Sequence, residues 1–335
     1  MNNNNKFTWD FWYIYDPSKQ TYHVYMLSAD AQYKVAETHH IHSQITYATT
    51  QDFHNFNYQS DNLIPLNSDK SIWTGCTIKV DKNRYYLFYT ERQTVGNYLA
   101  GQTIKAAYSK DLVNWRIDEN FHISPEIIDR ENKYFVRQQN LGDRTAHAWR
   151  DPYIFQYKNT YYMLLAAKHI IDTKHLQNKN ACIALLKSDD RELTNWQLVQ
   201  PSLITGYEEL EVPQIYLDSR NGSVVLLVST WDEVDYQISF ERKQTYRKNG
   251  KLLAFSAENI EAALRGEFCE APQIVIGKDG EIQADLYACL WLSEIKSIVG
   301  FNLRNGGYKV IRSGIPDHIF NLEYLNLETQ NLFYV

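Results

Sequence analysis

The sequence predicts an all-β fold: a five-bladed β-propeller, formed as a single domain over residues 1–335 around a central funnel. Three observations lead to this expectation. Short strand-like runs alternate with polar turns, and helical periodicity is scarce. Hairpins of one design recur along the chain. A second element recurs behind those hairpins at the spacing of one four-stranded unit.

The hairpins come first. "DPSKQTYHVYML" from Asp16, "DKNRYYLFYT" from Asp81, "YKNTYYMLLAA" from Tyr157 and "DSRNGSVVLLV" from Asp218 each join a polar turn to a strand rich in Tyr, Val and Leu. Each follows another strand-like run, so each marks the first hairpin of a unit. Asp16, Asp81 and Asp218 are read as turn residues on this basis. The second element is "ITYATTQDFHNF" (Ile45–Phe56), "KAAYSKDLVNW" (Lys105–Trp115) and "IALLKSDDRELTNW" (Ile183–Trp196), with "LLAFSAENIEAAL" as a degenerate fourth copy. Each runs strand, Ser or Thr, Asp, short linker, then an aromatic after Asn. The Asp is expected to cap a turn and the aromatic to fill space between units. The one helical candidate is Ala257 to Leu264. Unit starts fall near Asp10, Trp73, Asp151, Glu211 and Asp285, and ring closure of such units removes long exposed sheet edges.

Composition narrows the function classes. The chain has 335 residues, 22% of them charged, with a net charge of -6 and no Lys/Arg run, which disfavours a nucleic-acid partner. Its 25 Tyr and 8 Trp suit pleated surfaces and also make stacking platforms for sugars. The first residues, Met1 to Lys6, are polar, and no apolar run reaches the roughly 18 residues that span a bilayer, so a cytoplasmic protein without a membrane partner is expected. Cys76, Cys182, Cys269 and Cys289 form no C-x-x-C pair and read as buried free thiols. His39, His40 and His42 in "THHIHS" have no clear partner acids, so neither a metal site nor a cofactor is expected.

The unit starts carry the chemistry. "TWDFWYIY" sets Asp10 between Trp9 and Phe11-Trp12; "IWTGCTIKV" offers Trp73, Thr74 and a glycine; Arg150-Asp151-Pro152 opens the third unit; "YEELEVPQIY" puts Glu208, Glu209 and Glu211 before Pro213. Asp10 and Asp151 precede their strands, unlike the hairpin aspartates. Carboxylates from separate units converging on an aromatic funnel suit glycosidic-bond cleavage. One protonates the leaving oxygen, one attacks the anomeric carbon or activates water, and a further negative charge favours an oxocarbenium-like transition state. Trp9 and Trp73 are candidates to wall in the sugar. Arg150 is a candidate to bind its hydroxyls or to hold Asp151 ionised.

"WDFW", "WTG", "WRDP" and "EELE", in that order, resemble the fructan-active glycoside hydrolase clan of invertases and levansucrases, closest to the levansucrase branch. The likeness runs from Trp9 to about Tyr216 and, less clearly, to the start at Asp285. It implies Asp10 as nucleophile, Asp151 as transition-state stabiliser and Glu211 as general acid/base. It also implies that Glu209 supports Glu211, and that Trp9, Trp73, Thr74 and Arg150 shape the sugar subsite. Such enzymes are retaining and pass a covalent fructosyl intermediate to water or to another sugar. Thr74 stands where that branch has serine. Val-Pro after Glu211 leans toward the invertase and arabinan-hydrolase pattern, and Trp231 lies near the place of an arginine that contacts the glucosyl unit of sucrose. The expectation is therefore a β-fructofuranosidase or fructosyltransferase. An inverting arabinan- or xylan-type glycosidase and a non-catalytic sugar-binding propeller remain open.

Overall fold

The computed structural model describes residues 6–35, 38–51, 55–94, 101–131, 133–136, 148–157, 160–170, 180–207, 210–218, 223–230, 234–238, 242–246, 253–254, 287–289 and 300–302. The architecture is all-β and antiparallel. The first sheet is a meander of β1 (Lys6–Asp16), β2 (Thr21–Asp30), β3 (Gln44–Thr50) and β4 (Asn57–Ser60). The second is β5 (Lys70–Asp81), β6 (Arg84–Gln93), β7 (Thr103–Ser109) and β8 (Trp115–Ile117). The third is β9 (Trp149–Tyr157), β10 (Thr160–Lys168), β11 (Ala181–Ser188) and β12 (Gln197–Tyr207). Next come β13 (Leu210–Asp218) and β14 (Ser223–Thr230), then the hairpin of β15 (Val234–Ile238) and β16 (Arg242–Tyr246). The short β17 (Leu253–Ala254) pairs with β14, and β18 (Tyr287–Cys289) pairs with β19 (Gly300–Asn302). The described helices are single turns, α1 (Ala31–Val35) and α2 (Pro125–Ile128), and none is long and apolar enough to cross a membrane. The helical candidate at Ala257 to Leu264 and the unit start at Asp285 lie outside the described residues.

The hairpin turns fall where the polar runs put them. Asp16 closes β1, and its carboxylate accepts the Ser18 backbone N–H at 3.0 Å and the Ser18 hydroxyl at 2.6 Å. Asp81 accepts the Asn83 N–H at 3.2 Å. The Asp–Trp element is structural, as expected. In the second sheet the Asp111 carboxylate caps Val113 and Asn114, Leu112 turns to φ 67°, and the Trp115 indole N–H donates to the Leu112 carbonyl at 3.2 Å. The third sheet repeats this: Asp190 caps Glu192 and Thr194, Leu193 has φ 53°, and Trp196 donates to Leu193 O at 2.8 Å. Each tryptophan then meets the preceding sheet, Trp115 edge-on to Tyr25 and Trp196 edge-on to Phe88.

The core is layered between sheets. Phe7, Trp12, Tyr25, Leu27, Tyr47, Leu87 and Tyr89 fill the space between the first and second sheets. Ile78, Phe88, Phe121, Trp149, Ile154, Met163 and Leu165 fill the space between the second and third. A sheet covered on both faces needs continuous rather than alternating burial, and β11 is buried at every residue but Lys187. The first strands form the inner edge: β1 lies against β5, β5 against β9, and β9 against β13. Strand β18 touches both β1 and β13. Cys76 and Cys182 are buried free thiols, and burial pushes the Cys76 thiol up to about 12.

Candidate active site

Each of the four first strands breaks register at its motif. In β1 the break falls between Trp9 and Phe11, leaving Asp10 as the extra residue. In β5 it falls between Trp73 and Gly75, leaving Thr74. In β9, Asp151 and Pro152 lie in the break, because Arg150 pairs with Ala166 and Tyr153 with Leu164. In β13, Val212 and Pro213 lie between Glu211, opposite Ser229, and Gln214, opposite Leu227. A β-bulge turns a side chain out of the regular alternation and leaves backbone groups without ladder partners. The backbone is strained there: φ is 32° at Asp10, 59° at Asp151 and 48° at Val212. Such conformations cost on the order of 1–3 kcal/mol each in non-glycine residues and concentrate at functional sites.

These bulges are wired to one another. The Thr74 hydroxyl donates to Asp10 Oδ2. The Thr90 hydroxyl on β6 donates to the Thr74 carbonyl at 3.2 Å and accepts the Asp151 backbone N–H at 3.0 Å. The Val212 N–H donates to Asp151 Oδ2 at 3.0 Å. Arg150 spans two acids: its Nη2 donates to Glu211 Oε1 at 2.8 Å, and its Nε lies 3.8 Å from Asp151 Oδ2. Thr74, Arg150 and Asp151 are buried. Asp10, Asp151 and Glu211, expected from their positions at unit starts, are thus brought into one network with Thr74 and Arg150. Arg150 sits closer to Glu211 than to the Asp151 it was expected to hold.

Electrostatics single out Asp10. Its Oδ1 is buried, with no hydrogen-bond partner among the described residues. Burial first, and then the neighbouring charge of Asp151, push its carboxyl well above the usual 3.8; Glu211 adds to this, while Thr74 and Arg150 pull it down without cancelling the rise.

The aromatic wall divides in two. Trp73 is half-buried, with the Arg92 guanidinium 5.1 Å and the Arg150 guanidinium 6.0 Å from its ring, and its indole N–H donates to the His40 carbonyl at 2.9 Å. Trp9 is buried, packed by Phe7 and edge-on to His39 and His40. The histidine stretch therefore backs the two tryptophans, and among the described residues no cluster of His, Cys, Asp or Glu is placed to hold a metal. Glu208, Glu209 and Trp231 lie outside the described residues. A separate groove of about 540 Å³ between Ile127–Tyr134 and Asn195–Leu198 is lined by none of the site residues. Sequence reasoning missed Thr90 and Arg92. Counting back from the Asp81–Arg84 turn places Arg92 opposite Trp73; the two register shifts in β5, between Lys79 and Asp81 and between Trp73 and Gly75, bring Thr90 there instead.

An antiparallel all-β scaffold with carboxylates on the bulged inner strands of neighbouring sheets is a frame for carboxylate chemistry. The chain belongs to glycosyl hydrolase family 32: the model of the glycosyl hydrolases family 32 N-terminal domain matches residues 10–281. An inulosucrase from Halalkalicoccus jeotgali, solved with bound kestose, is similar in fold, with a TM-score of 0.53 and 19% identity over 68% of this chain. A multiply substituted β-fructofuranosidase from Microbacterium saccharophilum K-1 gives a TM-score of 0.52 and 13% identity over 76% of this chain. The chain spans 60% and 57% of the length of these two proteins. No curated protein matches the sequence.

Proposed function

We propose that the chain is a retaining β-fructofuranosidase or fructosyltransferase acting on sucrose or a fructan-like β-fructofuranoside. The observation that carries this reading is the linkage of Asp10, Asp151 and Glu211 across three sheets through Thr74, Thr90, Arg150 and the Val212 N–H. Membership of family 32 supports the substrate class. In this reading Asp10 Oδ1 attacks the anomeric carbon, the bond to the leaving sugar breaks, and its oxygen takes a proton from Glu211. Glu211 then removes a proton from water or an acceptor hydroxyl, which displaces Asp10. Asp151, held by the Val212 N–H, lends negative charge to the oxocarbenium-like transition state. Trp73 and Arg150 shape the sugar subsite, and the sequence resemblance adds Glu209 and Trp231 to it. The scaffold is a five-bladed propeller in one domain, and the position of β18 against both β1 and β13 favours a fifth unit between them.

The test is incubation with sucrose, raffinose, levan, and nitrophenyl arabinofuranoside and xyloside, with products resolved by chromatography. Release or transfer of fructose is expected, lost in Asp10→Asn by several orders of magnitude, or about 4–7 kcal/mol of transition-state stabilisation. Asp16→Asn, in the β1–β2 turn, is the control and is expected to stay within a few-fold of wild type. Sugar binding without turnover, equal in wild type and Asp10→Asn, would instead make the chain a binding module.

A further inference from the structure

Thr90 is fully buried on β6, opposite Trp73 in the ladder, and touches two bulges at once. A bulge in β5 takes the Thr74 carbonyl out of regular pairing, and one in β9 does the same to the Asp151 N–H. One hydroxyl satisfies both, donating to the first at 3.2 Å and accepting from the second at 3.0 Å. The two residues so joined are the ones that flank Asp10 chemically: Thr74 donates to its carboxylate, and Asp151 repels its charge more strongly than Glu211 does. Asp151 also sits at φ 59°, a conformation that a non-glycine residue keeps only where its surroundings hold it. The Val212 N–H grips the Asp151 side chain from β13, and Thr90 grips its backbone from β6.

We propose that Thr90 is a positioning residue that fixes the Asp151 carboxylate relative to Asp10 by bridging the bulges of β5 and β9. The proposal rests on the catalytic reading of these aspartates. A hydroxyl is required because the bridge must accept from one side and donate to the other; valine has the same shape and does neither.

The test compares Thr90→Val with Thr90→Ser, assayed on sucrose and raffinose well below each variant's melting midpoint. Thr90→Val is expected to lose about 10- to 100-fold in kcat, the scale of a small misplacement of a reacting group, with KM within about three-fold. Thr90→Ser keeps the hydroxyl and is expected to keep most of kcat. A Thr90→Val variant with a lowered melting midpoint but wild-type kcat overturns the proposal and leaves Thr90 a packing residue. If Thr90→Val does not fold, Thr90→Cys, whose thiol bonds poorly, takes its place. Crystal structures of the variants supply a readout independent of turnover. Loss of the Asp151–Val212 bond, or relaxation of the Asp151 backbone, supports the proposal, and an unmoved Asp151 overturns it. If wild type turns over neither sugar, the functional reading fails while the crystallographic comparison still decides the positioning role.

Discussion

Thr74→Val removes the one donor to Asp10 Oδ2 among the described residues and leaves the side-chain volume almost unchanged. Among the described residues Asp10 Oδ1 has no partner, so the variant would leave neither carboxylate oxygen with a hydrogen bond from a described residue. A hydrogen bond to a charged group contributes about 1.5–3 kcal/mol. The bond stabilises the ionised form, so its loss raises the Asp10 pKa further. In the proposed mechanism Asp10 must be ionised to attack. The acidic limb of kcat/KM against pH, which reports the free enzyme, is therefore expected to move to higher pH, with the loss of rate greatest on the acid side, about 10- to 100-fold for a bond of that strength. Thr74→Ser keeps the donor and is expected to leave the limb in place. A limb that stays fixed in Thr74→Val while the plateau falls would make Thr74 a sugar contact only, and a limb that moves to lower pH would refute the assignment of Asp10 as the titrating nucleophile.

Three further outcomes are expected. Asp10→Asn should raise the melting midpoint near neutral pH while abolishing turnover. The folded pKa of Asp10 lies above its usual 3.8, so the fold disfavours the charged form, a penalty absent below that value and growing as pH rises through the folded pKa; melts across pH check this, and a stability difference that does not grow with pH counts against it. Gly75→Ala would put a Cβ 2.3 Å from the Phe88 carbonyl oxygen and 3.1 Å from the Trp12 ring, so destabilisation of about 1–3 kcal/mol in denaturant unfolding is expected. At Asp111, partial burial pushes the carboxyl up, but bonds from Asn114, Val113 and Ser109 outweigh it and lower it to about 2. Its contribution is present above the usual 3.8 and lost as pH falls through about 2, so Asp111→Asn should lower the melting midpoint at neutral pH and little at pH 2.

Features written in local chemistry were legible in the sequence. The hairpin aspartates Asp16 and Asp81 bond backbone N–H groups two residues on, a pattern set by the turn alone. The Ser-Asp-Asn-Trp element closes on itself within a few residues, so its recurrence gave the length of a unit. The acids at the strand starts stood out because they were not in those turns. What stayed hidden depends on which strands meet. Arg150 chooses Glu211, 61 residues away, over adjacent Asp151, and nothing local sets that choice. Trp9 reads as a sugar platform, yet His39 and His40 cover it, because the loop before β3 folds back over β1. The three histidines had no role legible in the sequence, and only the fold shows that the backbone of one of them, His40, orients Trp73.

The four inner motifs also share a physical solution. A bulge must dispose of a backbone group that has lost its ladder partner and of a side chain turned into a crowded edge. Pro152 and Pro213 lie in the bulges of β9 and β13 and have no N–H to leave unpaired. Gly75 follows the bulge of β5 and has no Cβ to strike Phe88. In the bulges of β9 and β13 the N–H groups beside those prolines, of Asp151 and Val212, bond to Thr90 and to the Asp151 carboxylate. Trp-Thr-Gly, Arg-Asp-Pro and Glu-Val-Pro thus differ as sequences but solve one problem on successive strands. The bulges are closed by groups from other strands: Asp10 accepts from Thr74 of the second sheet, the Thr74 carbonyl accepts from Thr90 of its own sheet, and Asp151 is held by Thr90 of the second sheet and by Val212 of β13. Loosening one should therefore be felt at its neighbour, which is why substitutions at Thr74 and Thr90 are expected to act on aspartates they do not replace.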